Sequence, residues 1–418
     1  MQRQHELRAA GELAGDALAG VTDVVADTHI SIVNRLVRHL PAAAPVATVH
    51  KAAAGLVYAG VSVGLRALAV GTAEVLARRG HPEAPAPSTT PGGRAVLPVI
   101  NGFWGDHVEE RHPMMAVPMA VRVDGHDVAL EPALVAQLFP QATGRIVVFL
   151  HGLVESEDAW KLGYRPDDPD TVPYGQRLHD DLGFTPVYVR YNAGLRVSEN
   201  GRRASDLLAR LHASWPVPVE EIVLIGHSMG GLVSRSACHY GTTHAQPWVT
   251  NLTTVVTLGT PHLGAPLEQG AHVAHLVLRS LPETEPLSRI LGRRSVGIKD
   301  LRYGHLVDED WHGHDADEFL KDRSTEVPFV DHATYYFVAA SLTRDLSHPA
   351  GHLLGDGMVR YPSASGRGRG REIPFEIDNG AHIGGLHHLS LLNHPAVYEQ
   401  LRRWLGPRDA PSEDRPGD

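Results

Sequence analysis

Gly226-His227-Ser228-Met229-Gly230 sets one hydroxyl between two glycines, and a further glycine, Gly231, follows at once. The run "EIVLIG" (221–226) before it suits a buried strand, and "MGGLVSRSACHY" after it has the spacing of a helix. A strand that reverses sharply into a helix needs residues without a Cβ beside the turn, where bulkier side chains collide. In that setting Ser228 Oγ stands exposed at the carboxyl end of a sheet. The first helical turn supplies free backbone N–H groups and partial positive charge, so the Met229 N–H is expected to face a developing oxyanion. A serine hydroxyl is a weak nucleophile until a base takes its proton, and the base needs an acid to orient it.

Near the C-terminus "GGLHHLSLLNHPAVYEQLRRWL" (384–405) offers His387, His388 and His394 in a loop leading to a final helix. His388 is the expected base and His387 the second choice. In "LLGDGMVR" (353–360) Asp356 lies between two glycines, a setting for a tight turn from which a carboxylate reaches an imidazole. Asp345 in "LTRDLSHP" is the alternative acid. The order Ser228, Asp356, His388 is that of an α/β-hydrolase triad. A second oxyanion donor is expected from the Leu153 N–H, after "VVFLHG", where Gly152 lets the backbone turn toward the reacting centre.

The elements that hold these residues follow from the pattern. Apolar runs "RIVVFL" (145–150), "TPVYVRY" (185–191), "EIVLIG", "TTVVTLG" (253–259) and "TYYFVAA" (334–340) alternate with helical stretches such as "GRRASDLLARLHASW" (201–215). That alternation predicts a mostly parallel sheet with helices on both faces. Asp124-Gly125 between two alternating runs predicts a hairpin. The interval from Gly259 to Tyr335 is too long for a simple crossover and holds the amphipathic "HVAHLVLRSL" (272–281), so a cap is expected at about 262–330.

Residues 1–80 read as a helical extension. Within them Ala52–Leu76 is apolar nearly all round, interrupted by Arg66 and Glu74. Interior charges disfavour a membrane span, so a helical hairpin is expected that buries itself on the following domain, a second copy or a lipid interface. "HPEAPAPSTTPGG" (81–93) marks a linker, taken as 81–96; the catalytic domain is expected over 97–405 and a disordered tail over 406–418.

The 418 residues are 43% hydrophobic and 21% charged, ordinary for a globular chain. A net charge of −10 without a basic stripe argues against a nucleic-acid surface. Cys238 is the sole cysteine, so no intramolecular disulfide forms; it is expected in a helix as core. The N-terminus lacks an uninterrupted apolar stretch of the secretory type, and a cytoplasmic location is expected, with peripheral membrane contact as a variant. His312, His314, Asp315 and Asp317 in "WHGHDAD" match no closed ligand spacing, so no metal is expected, and "SGRGRGRE" (365–372) reads as a flexible surface loop.

"FLHGL", "GHSMGGLV", "LGTPHLGAP" (258–266), "GDGMV" and "HHLSLL" together resemble the lipase and esterase branch of the α/β-hydrolases, particularly bacterial relatives of the GPI inositol-deacylase-like lipases. The resemblance covers about residues 145–405 and leaves the first 90 outside. It implies carboxylic-ester hydrolysis through an acyl-enzyme with Ser228, Asp356 and His388, no cofactor, and a mobile cap. It also implies a pocket lined by Thr260, His262 and Leu263, joined by His151, Gly152 and His227 around the serine. A small-molecule ester, first of all a lipid or acyl ester, is the expected substrate. A short-chain esterase, a thioesterase, or a non-catalytic scaffold with an oligomerising or membrane-docking N-terminal region are the alternatives. The deacylase proper is membrane-embedded and this chain shows no multi-span region, so its substrate does not carry over.

Overall fold

Eight strands form one sheet in the computed structural model, which describes residues 2–39, 44–79, 86–265, 268, 294–313, 322–345, 354–368, 371–376 and 378–407. They are β1 (Ala120–Val123), β2 (His126–Asp127), β3 (Arg145–Leu150), β4 (Thr185–Arg190), β5 (Glu221–His227), β6 (Leu252–Leu258), β7 (Thr334–Ser341) and β8 (Gly380–Gly384). Their order is β2-β1-β4-β3-β5-β6-β7-β8, with β1 antiparallel to β2 and β4 and every other pair parallel. This is an α/β-hydrolase sheet. The Asp124-Gly125 hairpin forms as expected: both residues have positive φ, which matches the turn to the twist of its strands.

β3 and β5 are buried almost without interruption, because parallel strands are covered on both faces. Alternate residues Val147, Phe149, Val223, Ile225, Val256, Leu258 and Val338 line one face. That face packs against Leu178 of α5 (Tyr174–Leu182) and against Val397, Tyr398 and Leu401 of the C-terminal helix Pro395–Leu405. Helix α7 (Met229–Thr243) runs along β3, β5 and β6 and packs on α6 (Val197–Ser214). β8 escapes the sequence pattern because "GAHIG" begins and ends in glycine and is half-buried throughout, with no alternation to read.

The chain divides into two compact units, Met1–Val117 with Asn192–Leu195 and Leu267–Lys299, and the remainder. The boundary therefore falls at Val117, beyond the expected residue 97. In the N-terminal unit α1 (Gln2–His39) and α2 (Ala44–Arg79) form the expected helical hairpin. The two charges that interrupt α2 are paired with α1: Arg66 with Asp16 at 2.8 Å and Glu74 with Arg8 at 2.6 Å. Within the N-terminal unit most of α2 stays exposed: the most apolar 18-residue window of Ala44–Arg78 has a mean hydropathy of 1.6 and none of it is buried, and the helix is long and apolar enough to cross a membrane. α3 (Pro91–Arg111) starts inside the stretch expected as linker, since Pro91 occupies the first turn, where its missing N–H costs nothing, and Thr90 Oγ1 accepts from the Gly93 N–H. The amphipathic segment 272–281 and most of the tail from 408 lie outside the described residues.

Leu401 has no exposed surface and joins the C-terminal helix to the sheet. Leu401→Ala is expected to cost about 2–5 kcal/mol, read as a lower urea midpoint at unchanged m-value.

Candidate active site

β5 ends at His227, and Ser228 makes the turn into α7 with φ 53° and ψ −121°, a region that L-residues occupy only under strain. The glycines around it answer to space. A Cβ on Gly226 would stand 2.4 Å from the Gly230 carbonyl carbon, and one on Gly230 would stand 2.2 Å from the Leu150 carbonyl oxygen. The turn is pinned from both sides, by Ser228 N–H to Leu258 O at 2.8 Å and Gly231 N–H to Ser228 O at 3.1 Å. Met229 opens α7, so its N–H has no carbonyl of its own helix to bind.

Asp356 and His388 meet at the same sheet edge. His388 Nδ1 donates to Asp356 Oδ2 at 2.7 Å, and the His388 backbone N–H donates to the Asp356 carbonyl at 3.0 Å. The other carboxylate oxygen accepts from the N–H groups of Met358 (2.9 Å) and Val359 (2.8 Å). Both flanking residues, Gly355 and Gly357, have positive φ, which makes the turn that aims the carboxylate inward. With the proton held on Nδ1, Nε2 keeps its lone pair. That atom is buried and has no hydrogen-bond partner among the described residues. The ring sits beside the serine's own neighbours: its centroid is 4.7 Å from that of His227, and a Cβ on Gly259 would come within 3.1 Å of its Cε1.

The loop after β3 lies on the serine's other flank, where a Cβ on Gly152 would stand 3.0 Å from Ser228 Cβ. Leu153 is half-buried there, and Val154 has φ 57°, a strained value for a β-branched residue. Glu155, which the sequence reading missed, organises this loop. Its Oε2 accepts from the Gly152 N–H at 2.7 Å, and its carboxylate lies 3.0 Å from His227 Nδ1. Burial alone raises a carboxyl pKa, but the charge and hydrogen bond of His227 and the Gly152 N–H outweigh it and hold Glu155 low. Burial likewise depresses His227, and Glu155 outweighs it, so His227 is held above the usual imidazole range. A buried ion pair thus joins the loop to the elbow. Its only sequence signal is an acid three residues after Gly152.

The histidines expected to line the pocket are fully buried. His151, His227 and His262 have no accessible surface, because each spends its ring nitrogens on neighbours. His151 stacks on Tyr191 at 4.3 Å, its Nδ1 contacts the Gly152 carbonyl at 2.8 Å, and its Nε2 accepts from the Tyr191 N–H at 3.2 Å. His227 Nε2 lies 3.2 Å from the His388 carbonyl. His262 contacts Arg235 Nη1 at 3.2 Å and Thr257 Oγ1 at 3.1 Å; burial, then Arg235 and Arg371, keep it neutral, well below the usual range. Thr260 is buried over the first turn of α7, where its Oγ1 has no partner among the described residues. Gly152 is buried as well, and only Leu263 is half-exposed.

Of the alternatives, His387 and Asp345 are exposed, and His394 caps the C-terminal helix by accepting from the Ala396 N–H. Cys238 is buried in α7, and burial pushes its thiol up to about 12. Among the described residues of the expected surface loop, Ser365 is fully buried, Arg367 and Glu372 form an antiparallel bridge, and Arg371 donates to the Tyr303 carbonyl at 3.0 Å. His314, Asp315 and Asp317 lie outside the described residues.

Residues 202–315 match a PGAP1-like alpha/beta domain. This PGAP1-like segment holds β5, the Ser228 elbow, α7 and β6; Asp356 and His388 lie beyond it. Over 102 residues the chain is 32% identical to the GPI inositol-deacylase of Emericella nidulans, a stretch that is 24% of this chain and 8% of that protein. Among solved structures it is similar to the Bacillus licheniformis lipase BlEst2 in propeptide form, at 18% identity over 72% of this chain and 56% of that one, with a TM-score of 0.44. It is also similar to the phospholipase PlaB from Legionella pneumophila, at 15% identity over 64% and 60% of the two chains, with a TM-score of 0.39.

Glu155→Gln removes the ion pair and is expected to cost about 1–3 kcal/mol. The raised His227 contributes fully below the ordinary imidazole value of 6.5 and fades as pH climbs through its own higher pKa. The lowered Glu155 contributes above the ordinary carboxyl value of 4.5 and is lost on acidification through its own lower pKa. The stability gap between wild type and variant is therefore widest between those two values and narrows on either side, which urea unfolding across pH measures.

Proposed function

We propose that the chain is a serine hydrolase that cleaves carboxylic esters through an acyl-enzyme. The observation that carries this is the His388 imidazole: its Nδ1 is engaged by a buried Asp356 at 2.7 Å, and its buried Nε2 has no partner beside the strained Ser228 elbow. An imidazole with one nitrogen held by a carboxylate and the other left uncommitted is placed to act as a general base. His388 Nε2 takes the Ser228 proton as Oγ bonds to the ester carbonyl carbon, and Asp356 steadies the resulting imidazolium. The N–H groups of Leu153 and Met229 receive the oxyanion. Collapse of the tetrahedral intermediate breaks the bond to the alcohol, which leaves with the proton from His388. Water then repeats the cycle on the acyl-enzyme and frees the acid.

An acyl or lipid ester is the substrate class we favour. The PGAP1-like segment and the deacylase likeness support ester cleavage, and the exposed apolar length of α2 supports a chain that works where acyl chains are. Hydrolysis of p-nitrophenyl esters of increasing chain length tests both parts. Activity is expected to favour longer acyl chains and to fall by about 10⁶-fold in kcat for Ser228→Ala and by about 10⁴-fold for Asp356→Asn. A preference for acetate would remove the lipid reading and keep the esterase; unchanged activity in Ser228→Ala would remove the mechanism.

A further inference from the structure

We propose a transition-metal site of the zinc class in the N-terminal unit, formed by Asp16 of α1 with His107 and His112 at the end of α3. One donor atom from each of the three lies within 4.8 Å of the others. A tetrahedral ion with bonds of about 2.0–2.2 Å needs its donors about 3.3 Å apart, so small side-chain rotations about an arriving ion close the set. Two imidazoles and a carboxylate form a mixed nitrogen and oxygen set of the kind zinc accepts while keeping a fourth position for water.

The outer groups point the same way. His112 is 6% exposed, its Nε2 faces Asp16 Oδ2 at 3.3 Å, and its Nδ1 is buried without a hydrogen-bond partner among the described residues, with Glu12 Oε2 at 3.7 Å. With an ion on Nε2, Nδ1 carries the proton and Glu12 is the carboxylate placed to accept it, the arrangement that fixes the ring of a metal-binding histidine. Asp16 Oδ1 is held by Arg66 at 2.8 Å, which leaves Oδ2 as the donor. The His107 ring packs edge-on against that of His112, with centroids 6.1 Å apart, which keeps both imidazoles beside Asp16. His107 is exposed and provides the route of entry.

Such an ion has work to do. The apolar cluster joining α1 to α3 is small, with Ala9, Val108 and Met115 as its buried members. An ion bound by Asp16 and by both histidines would fasten α1 to the end of α3 where packing is thin. His107 lies inside α3 and His112 just past its last residue, so no regular ligand spacing announces the pair.

The test uses the full chain with any affinity tag removed, stripped by chelator and dialysed against Zn²⁺. One Zn²⁺ per chain is expected to be retained, with a rise in Tm. Glu12→Gln is expected to weaken binding by about 10- to 100-fold, and His107→Ala and Asp16→Asn by more, with the Tm rise lost. Since the chain has 27 histidines, His126→Ala on exposed β2 serves as the control and should bind as wild type does. His107 is exposed, so its variant is expected to fold, which circular dichroism verifies. No retained zinc in wild type, or equal retention in wild type, His107→Ala and Asp16→Asn, would overturn the proposal.

Discussion

A serine held at positive φ between a buried strand and a buried helix is the constraint on which the C-terminal unit turns. That backbone costs on the order of 1–3 kcal/mol, and the surrounding packing must hold it in place. Gly226 and Gly230 let strand and helix pass at the distance the turn demands, and the Leu258 carbonyl holds the Ser228 N–H. The strain places Oγ at the carboxyl edge of the sheet, where β7 and β8 deliver Asp356 and His388. Val154, strained in the loop across from it, gives the site a second region of stored backbone strain, and the Glu155–His227 pair couples the two.

The histidines of this region divide by what their nitrogens do. His151, His227 and His262 use both ring nitrogens on neighbours, and each fixes a loop. His388 uses one. A ring with one nitrogen committed and the other buried and idle is poised to exchange a proton, and that difference, more than histidine content, marks the base.

Legibility followed the same physics. The Ser228 turn was readable because close packing writes glycines into a short stretch, and Asp356 because its turn also needs them. The five central strands were readable as apolar runs. β8 was hidden by its glycines, and α3 by a proline and two glycines that read as breakers but occupy its first turn. Glu155 was hidden because its partner, His227, is distant in sequence and meets it only through the parallel pairing of β3 and β5. His151, His227 and His262 are fully buried, which their sequence adjacency to a reactive residue does not announce. Asp16, His107 and His112 come together only through the pairing of two helices far apart in the chain.

The most direct measurement is reaction of the folded chain with a fluorophosphonate, followed by peptide mapping of the adduct. Proton transfer to His388 with loss of fluoride should leave one adduct, on Ser228, and His388→Ala should slow its formation by orders of magnitude. A folded wild-type chain that leaves Ser228 unlabelled, or labels it no faster than the His388→Ala variant does, would contradict the account.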